Sequence, residues 1–291
     1  MTWKRVATAV VLIPFVVGIV LKASTGVFSI ALALIVLLSL FEYFTLGDAI
    51  GHRAYRYWTA TCALVLVYVQ WLIAAAPHIV HSDYELIDFN FFRFLGGLPE
   101  AQDVFFLFVL GVAAITLATK RPLVETLPAA GISASGLLLV AFPLTYAVRL
   151  HGIGAQGPIL LLFALVITWV ADTVAYFVGR AIGKHPLAPH LSPKKTWEGS
   201  VASFAGSLLV AMVFTRWIVM PLPHLLAMAA VGNVAGQAGD LLESAYKRSA
   251  GIKDSGSLLP GHGGVLDRID ALILAIPVVW YYWVMIYSPR S

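Results

Sequence analysis

Nine stretches of mostly apolar residues recur along the chain, at about 6–22, 26–47, 57–76, 103–119, 132–150, 158–180, 200–220, 224–243 and 268–287. Each is close to the roughly 20 residues that a helix needs to cross the hydrocarbon core of a bilayer. Backbone amides cannot stay unpaired in lipid, so nine such runs predict an all-α, polytopic integral membrane helix bundle. Composition agrees. Of the 291 residues, 60% are hydrophobic and 12% charged, whereas a soluble domain is about half apolar and a quarter charged. The single cysteine, Cys62, excludes an internal disulfide framework and a cysteine-built zinc site. The eighth run is the weakest, because it carries Asn233, Gln237, Asp240 and several glycines. The first follows Met1-Thr-Trp-Lys4-Arg5 and ends at Lys22-Ala23-Ser24 without small residues at cleavage spacing. It is expected to be an uncleaved span rather than a signal peptide.

Lysine and arginine concentrate on the cytoplasmic side of membrane proteins. With nine spans and a cytoplasmic N-terminus, 14 of the 19 fall on that side. The same orientation puts the acidic loop 77–102 outside and the hydrophilic loops 181–199 and 244–267 in the cytoplasm. The expected location is therefore a multi-pass protein of a bacterial inner membrane with its chemistry facing the cytoplasm. The chain divides into N-terminal transmembrane helices over 1–150 and a region 151–291 that carries the motifs.

Polar residues crowd into 172–199 and 232–270. Asp172 lies eight residues before Arg180, so roughly 12 Å deep at 1.5 Å per helical residue. A carboxylate there costs at least about 2.5 kcal/mol on insertion scales, so it faces a partner or a water-filled cavity. Ser192, Lys194, Lys195 and Thr196 offer hydroxyl and ammonium donors of the kind that hold phosphate oxygens. Alone, they also suit an ordinary cytoplasmic loop with a helix cap at Thr196 or Ser200. Gly232, Gly236 and Gly239 give the eighth helix a slim face suited to close packing. Asp240 follows it and shares a helix side with Glu243 and Ser244.

Lys247, Arg248 and Lys253 come next, then a glycine-rich stretch containing His262, Gly263 and Gly264. Glycines adopt backbone shapes closed to other residues, and successive N–H groups there can make an anion-binding concavity with the positive end of the following helix. Asp267 and Asp270 stand one turn apart at that helix start. Each acid alone suits capping. Carboxylates beside an anion site suggest a hard divalent metal, since Mg²⁺ is typically held by one or two carboxylates plus substrate phosphates. No Walker A lysine motif, GxGxxG, HExxH or GxSxG elbow is present, and no feature points to nucleic acid.

Ser244-Ala-Tyr246-Lys247-Arg248, Lys253-Asp254 and Pro260-Gly-His262-Gly-Gly-Val-Leu-Asp267-Arg268-Ile-Asp270 together resemble the signature of the phosphatidate cytidylyltransferase family. The stretches around Asp172 and Ser192–Gly199 also resemble that family. Val174 and Tyr246 depart from its commoner residues without removing a charge. The resemblance covers about the last 120 residues. It implies a nucleotidyltransferase that joins CTP and phosphatidic acid into CDP-diacylglycerol, releasing pyrophosphate. It further implies Asp240 and Asp267 as holders of Mg²⁺, with a second cation such as K⁺ nearby and Asp172 and Asp270 as further metal candidates. Lys195, Lys247 and Arg268 would be catalytic cations. Ser192, Lys194, Lys195, Thr196, Lys247, Arg248, Lys253, His262, Gly263 and Gly264 would line the nucleotide or lipid phosphate. Membrane lipids are the expected surroundings, and a homodimer stays open. Two other readings stand beside this one: a CTP-dependent polyprenol or lipid kinase, and a transporter. A transporter would be expected to show paired half-helices or repeats, and none is evident.

The orientation is testable by thiol labelling in intact cells. A cysteine placed at 255 should be protected from an impermeant reagent added outside, while one at Ser291 should react. Outside labelling of position 255 would overturn both the orientation and the use of CTP.

Overall fold

Each predicted apolar run is helical in the computed structural model, which describes residues 2–79, 98–258 and 263–288. The helices are α1 (Thr2–Lys22), α2 (Thr25–Ala49), α3 (Arg56–Ile79), α4 (Ala101–Ala118), α5 (Leu123–His151), α6 (Gly157–Ile182), α7 (Trp197–Phe214), α8 (Leu222–Ser249) and α9 (Leu266–Tyr287). The eight from α2 to α9 are long and apolar enough to cross a membrane. The part of α1 whose apolar character is described, Leu12–Lys22, is by itself shorter than a span. Most of the predicted outer loop 77–102 lies outside the described residues.

Three boundaries differ from the hydropathy reading. Helix α5 starts at Leu123 rather than 132, through a 3₁₀ turn over Leu123–Glu125. The apolar pattern hides this turn because Glu125 interrupts it. Helix α7 ends at Phe214 rather than 220, where tight turns through Arg216–Met220 lead into Pro221 and the start of α8. Helix α8 runs to Ser249, six residues past the predicted end. Leu241–Ser249 is rich in good helix formers, and the chain turns away only at Gly251, whose φ of +70° suits glycine. Ser244, Lys247 and Arg248 therefore sit on a rigid helix and not in a loop. The segment 181–199, expected as loop, holds a short antiparallel hairpin of β1 (Pro186–Ala188) and β2 (Ser192–Thr196).

The slim face of α8 is a packing seam. A Cβ added at Gly239 would lie 2.5 Å from the Asp270 carbonyl oxygen of α9, so the two backbones meet there. On a neighbouring face, polar side chains tie α8 to α7. The Asn233 amide donates to Ser203 and Ser207, both at 2.9 Å, and Gln237 donates to Asn233 at 2.6 Å. Ser200 donates to Gln237. Such bonds stand in for the hydrophobic drive that lipid removes. In the N-terminal helices the core is apolar, with Leu40, Phe44, Leu66, Leu137 and Leu144 fully buried.

The C-terminal ends of α2, α6 and α8 and the N-terminal ends of α7 and α9 gather on one face of the bundle, joined by the contacts described below. Within the loop between α8 and α9, Ser255 is buried while Lys253 is exposed. A cysteine at 253 is therefore the better reporter of the side on which this face lies, and the only native thiol, Cys62, is buried.

Candidate active site

Lys247 is the centre of the gathered face. It follows Glu243 by one turn on α8, and its Nζ pairs with Glu243 and donates to Asp267 Oδ1 of α9 at 2.7 Å. Its side chain is 11% exposed and the two carboxylates are 5% exposed. Asp267 is held further by two backbone amides, Ser255 N at 3.0 Å and Gly264 N at 2.8 Å, both donating to Oδ2. Glu243 is less well satisfied. Neither of its oxygens has a hydrogen-bond partner of good geometry among the described residues, and the charge of Lys247 alone balances it.

A second pair stands about two turns earlier on α8 than Lys247. Lys195 of β2 donates to Asp240 of α8, both side chains being about a quarter exposed. Successive strand residues point to opposite faces, so Lys194 and Lys195 are not equivalent. Lys195 reaches Asp240, while Lys194 is exposed and makes no ion pair among the described residues. Thr196 accepts from Gly199 N at 3.2 Å and caps α7. Its oxygen is thus committed locally, although its hydroxyl proton is still available. Ser192 is half-buried on the same strand. Arg248 ties the hairpin to α8 by donating to the carbonyls of Leu191 at 3.3 Å and Ile252 at 3.2 Å. Lys253 and Arg268 are exposed.

Asp172 of α6 is accessible, and Asp240, Lys195 and Arg268 are near enough to act on its charge. Asp270 of α9 feels Asp240, Glu243 and Asp172 in the same way, and its Oδ1 accepts from Ala271 N at 2.7 Å. Three helices thus bring Asp172, Asp240, Glu243 and Asp270 near one another, with Lys195, Lys247 and Arg268 beside them. No three carboxylate or imidazole groups among the described residues converge at metal-ligand distances. The donor set still fits Mg²⁺. All donors are hard oxygens, Glu243 has unused acceptor capacity, and Mg²⁺ commonly needs only one or two protein carboxylates when phosphates complete its shell.

The anion concavity expected at Gly263 and Gly264 is already filled by the protein itself. Gly263 has a φ of +82°, as the sequence suggested. But Gly264 N donates to Asp267, Val265 N to Glu42 Oε1 at 3.0 Å, and Leu266 N to Glu42 Oε2 at 2.8 Å. The positive end of α9 thus attracts carboxylates of the chain, which leaves those amides unavailable to a phosphate. His262 lies outside the described residues. Glu42 and Glu243 were not among the expected site residues. Glu243 could have been found from its spacing, three residues after Asp240 and four before Lys247. For Glu42 the one signal is an acid inside an apolar helix.

Comparison with known proteins places the site in context. The model of the cytidylyltransferase family matches residues 3–286. A phosphatidate cytidylyltransferase of Bacillus subtilis (strain 168) is 35% identical over 174 residues, covering 58% of this chain and 65% of that protein. One from Haemophilus influenzae is 43% identical over 136 residues, 44% of this chain and 46% of the relative. One from Brucella abortus is 39% identical over 189 residues, 62% and 66% respectively. The matches therefore span between about half and just under two thirds of the length of these relatives.

The buried and exposed ion pairs should behave differently when broken. Lys247→Met strands two buried carboxylates and should destabilise the folded protein by about 3–5 kcal/mol. Lys195→Met breaks a partly exposed pair and should cost about 1 kcal/mol or less. Equilibrium unfolding in mixed micelles measures both. Equal losses would mean that burial does not distinguish the pairs.

Proposed function

The chain belongs to the cytidylyltransferase family, and on that premise we propose that it is a phosphatidate cytidylyltransferase, converting CTP and phosphatidic acid to CDP-diacylglycerol and pyrophosphate. The observation that carries this reading is the pair of lysine–aspartate contacts, Lys195–Asp240 and Lys247–Asp267, that converge on α8 at one end of a membrane bundle. That arrangement suits one water-soluble polyphosphate and one reactant anchored in lipid. The names of the relatives support the same substrates.

A phosphatidate oxygen attacks the α-phosphorus of CTP in line. The bond from that phosphorus to the bridging oxygen breaks, and pyrophosphate leaves. Such transfers depend on positioning and on neutralising charge more than on covalent help. Lys195 exchanges Asp240 for a substrate phosphate, and Lys247 can do the same with Asp267. Lys194, Lys253 and Arg268 are exposed around the cleft and add positive charge. Arg248 supports the hairpin and borders the same space. Ser192 and the Thr196 proton contribute hydroxyl donors. Asp240, with Asp172 and Asp270 beside it and Asp267 when released by Lys247, would hold Mg²⁺, which supplies charge neutralisation on the triphosphate. A second cation such as K⁺ has the remaining carboxylates to occupy. The motifs from Asp172 onward make 151–291 the catalytic region, with 1–150 as its membrane support. The gathered face lies in the cytoplasm of a bacterial cell, where CTP is found, and the bundle in its inner membrane.

Product analysis of the purified protein in mixed micelles tests the reading. Labelled CTP and phosphatidate should yield pyrophosphate and CDP-diacylglycerol. Release of CDP would indicate a lipid kinase, and no turnover with either product would remove the enzymatic reading.

The assigned roles also have expected sizes. Asp240→Asn and Asp267→Asn should each lower kcat by about a hundredfold or more, the scale of one lost charge contact in a transition state, and weaken the Mg²⁺ dependence of the residual rate. If both serve one metal, the double variant is little worse than either single. Lys195→Ala should raise KM for CTP or lower kcat strongly while remaining folded. Independent multiplication of the two aspartate losses, with Mg²⁺ dependence unchanged, would refute a shared ion.

A further inference from the structure

Glu42 stands in α2, more than 200 residues before the residues it holds. Its Oε1 accepts from Val265 N at 3.0 Å, and its Oε2 accepts from Leu266 N at 2.8 Å and from the Ser255 hydroxyl at 3.2 Å. The neighbouring Thr45 hydroxyl reaches the Ser255 carbonyl at 3.2 Å. One carboxylate therefore grips the loop between α8 and α9 at both ends: Ser255 on the way out and Val265–Leu266 on the way back.

The fit leaves no slack. A Cβ at Gly256 would lie 2.6 Å from Glu42 Oε1, and one at Gly264 would lie 2.3 Å from Oε2. Two glycines of the loop are thus explained by a side chain from another helix. No lysine or arginine pairs with Glu42 among the described residues. Its charge is balanced by the N-terminal end of α9, where aligned peptide dipoles favour an anion. An acid in a membrane helix is costly without such partners.

The next links lead into the cleft. Ser255, held by Glu42 through its hydroxyl, donates its own amide to Asp267 Oδ2, and Gly264 does the same from the other end. Asp267 Oδ1 then receives Lys247. We propose that Glu42 is a positioning residue of the reaction: from the N-terminal helices it fixes the α8–α9 loop and the first turn of α9, and so sets where Asp267 and Lys247 stand. Glu42 touches neither substrate and acts through Ser255, Val265 and Leu266. The inference rests on the cytidylyltransferase reading only for its effect on rate. The clamp itself is independent of that reading.

Two substitutions test it by separate routes. Glu42→Gln keeps the shape but turns one acceptor into a donor facing backbone N–H groups. Gly256→Ala leaves Glu42 in place but pushes its carboxylate aside. Each should lower kcat about tenfold or more, the scale of losing hydrogen bonds to a charged group, while KM for CTP and for phosphatidate changes less than about threefold. Their effects should not multiply in the double variant, nor should Glu42→Gln add much to Asp267→Asn, because all three act along one chain of contacts. Hydrogen exchange gives a readout apart from activity. Protection of a peptide spanning residues 263–270 should fall in both variants, with that of α4 and α5 unchanged. Near-normal kcat in a folded Glu42→Gln protein overturns the proposal. So does a uniform loss of protection with a lowered Tm, which would make Glu42 a general stabiliser, or a loss confined to KM. If the unaltered protein makes no CDP-diacylglycerol, the exchange result still decides whether the clamp exists.

Discussion

A lysine set between two buried carboxylates organises the end of this bundle where the candidate site lies. Lys247 comes from α8, as does Glu243, while Asp267 comes from α9. In a medium of low polarity an unpaired charge is expensive and a paired one is tolerable, so this triad couples the position of α9 to that of α8. The close approach of the two helices at Gly239 serves the same end, because a bulkier residue would part the backbones against the Asp270 carbonyl. Helix spacing and charge pairing at this point depend on each other.

The two lysine–aspartate pairs differ in a way that suits two tasks. Lys195 is on a short hairpin strand and is partly exposed, so its contact with Asp240 is easily exchanged for a phosphate. Lys247 is on a helix, is nearly buried, and has two acidic partners. Exchange of that contact therefore costs more than exchange of the Lys195 one. Asp172, Asp240, Glu243 and Asp270 are close enough to act on one another's charge.

The N-terminal helices take part in this site as well as in its support. Through Glu42 and Thr45, α2 holds the loop that presents Asp267. The anion-binding property of a helix start is real here, and the protein itself supplies the anion.

The amino-acid sequence by itself determined the class of fold and the chemistry on offer. Runs of about 20 apolar residues admit only spanning helices, since lipid provides no partner for a free backbone amide. Ionisable residues inside such helices are costly enough to mark a candidate functional region from Asp172 to Asp270 without coordinates. Helical spacing also put Asp240, Glu243 and Ser244 on one side, because that relation is local and needs only the period of the helix. Tertiary structure alone decided the rest. It set Lys195 against Asp240 and turned Lys194 away, through the alternation of a hairpin that no hydropathy profile shows. It also filled the α9 start with Glu42, whose contacts join positions more than 200 residues apart. A contact of that separation has no periodic signature in one chain. It exists only once α2 and α9 lie side by side, where the field at a helix end and the shortage of other acceptors in the bilayer draw the carboxylate in.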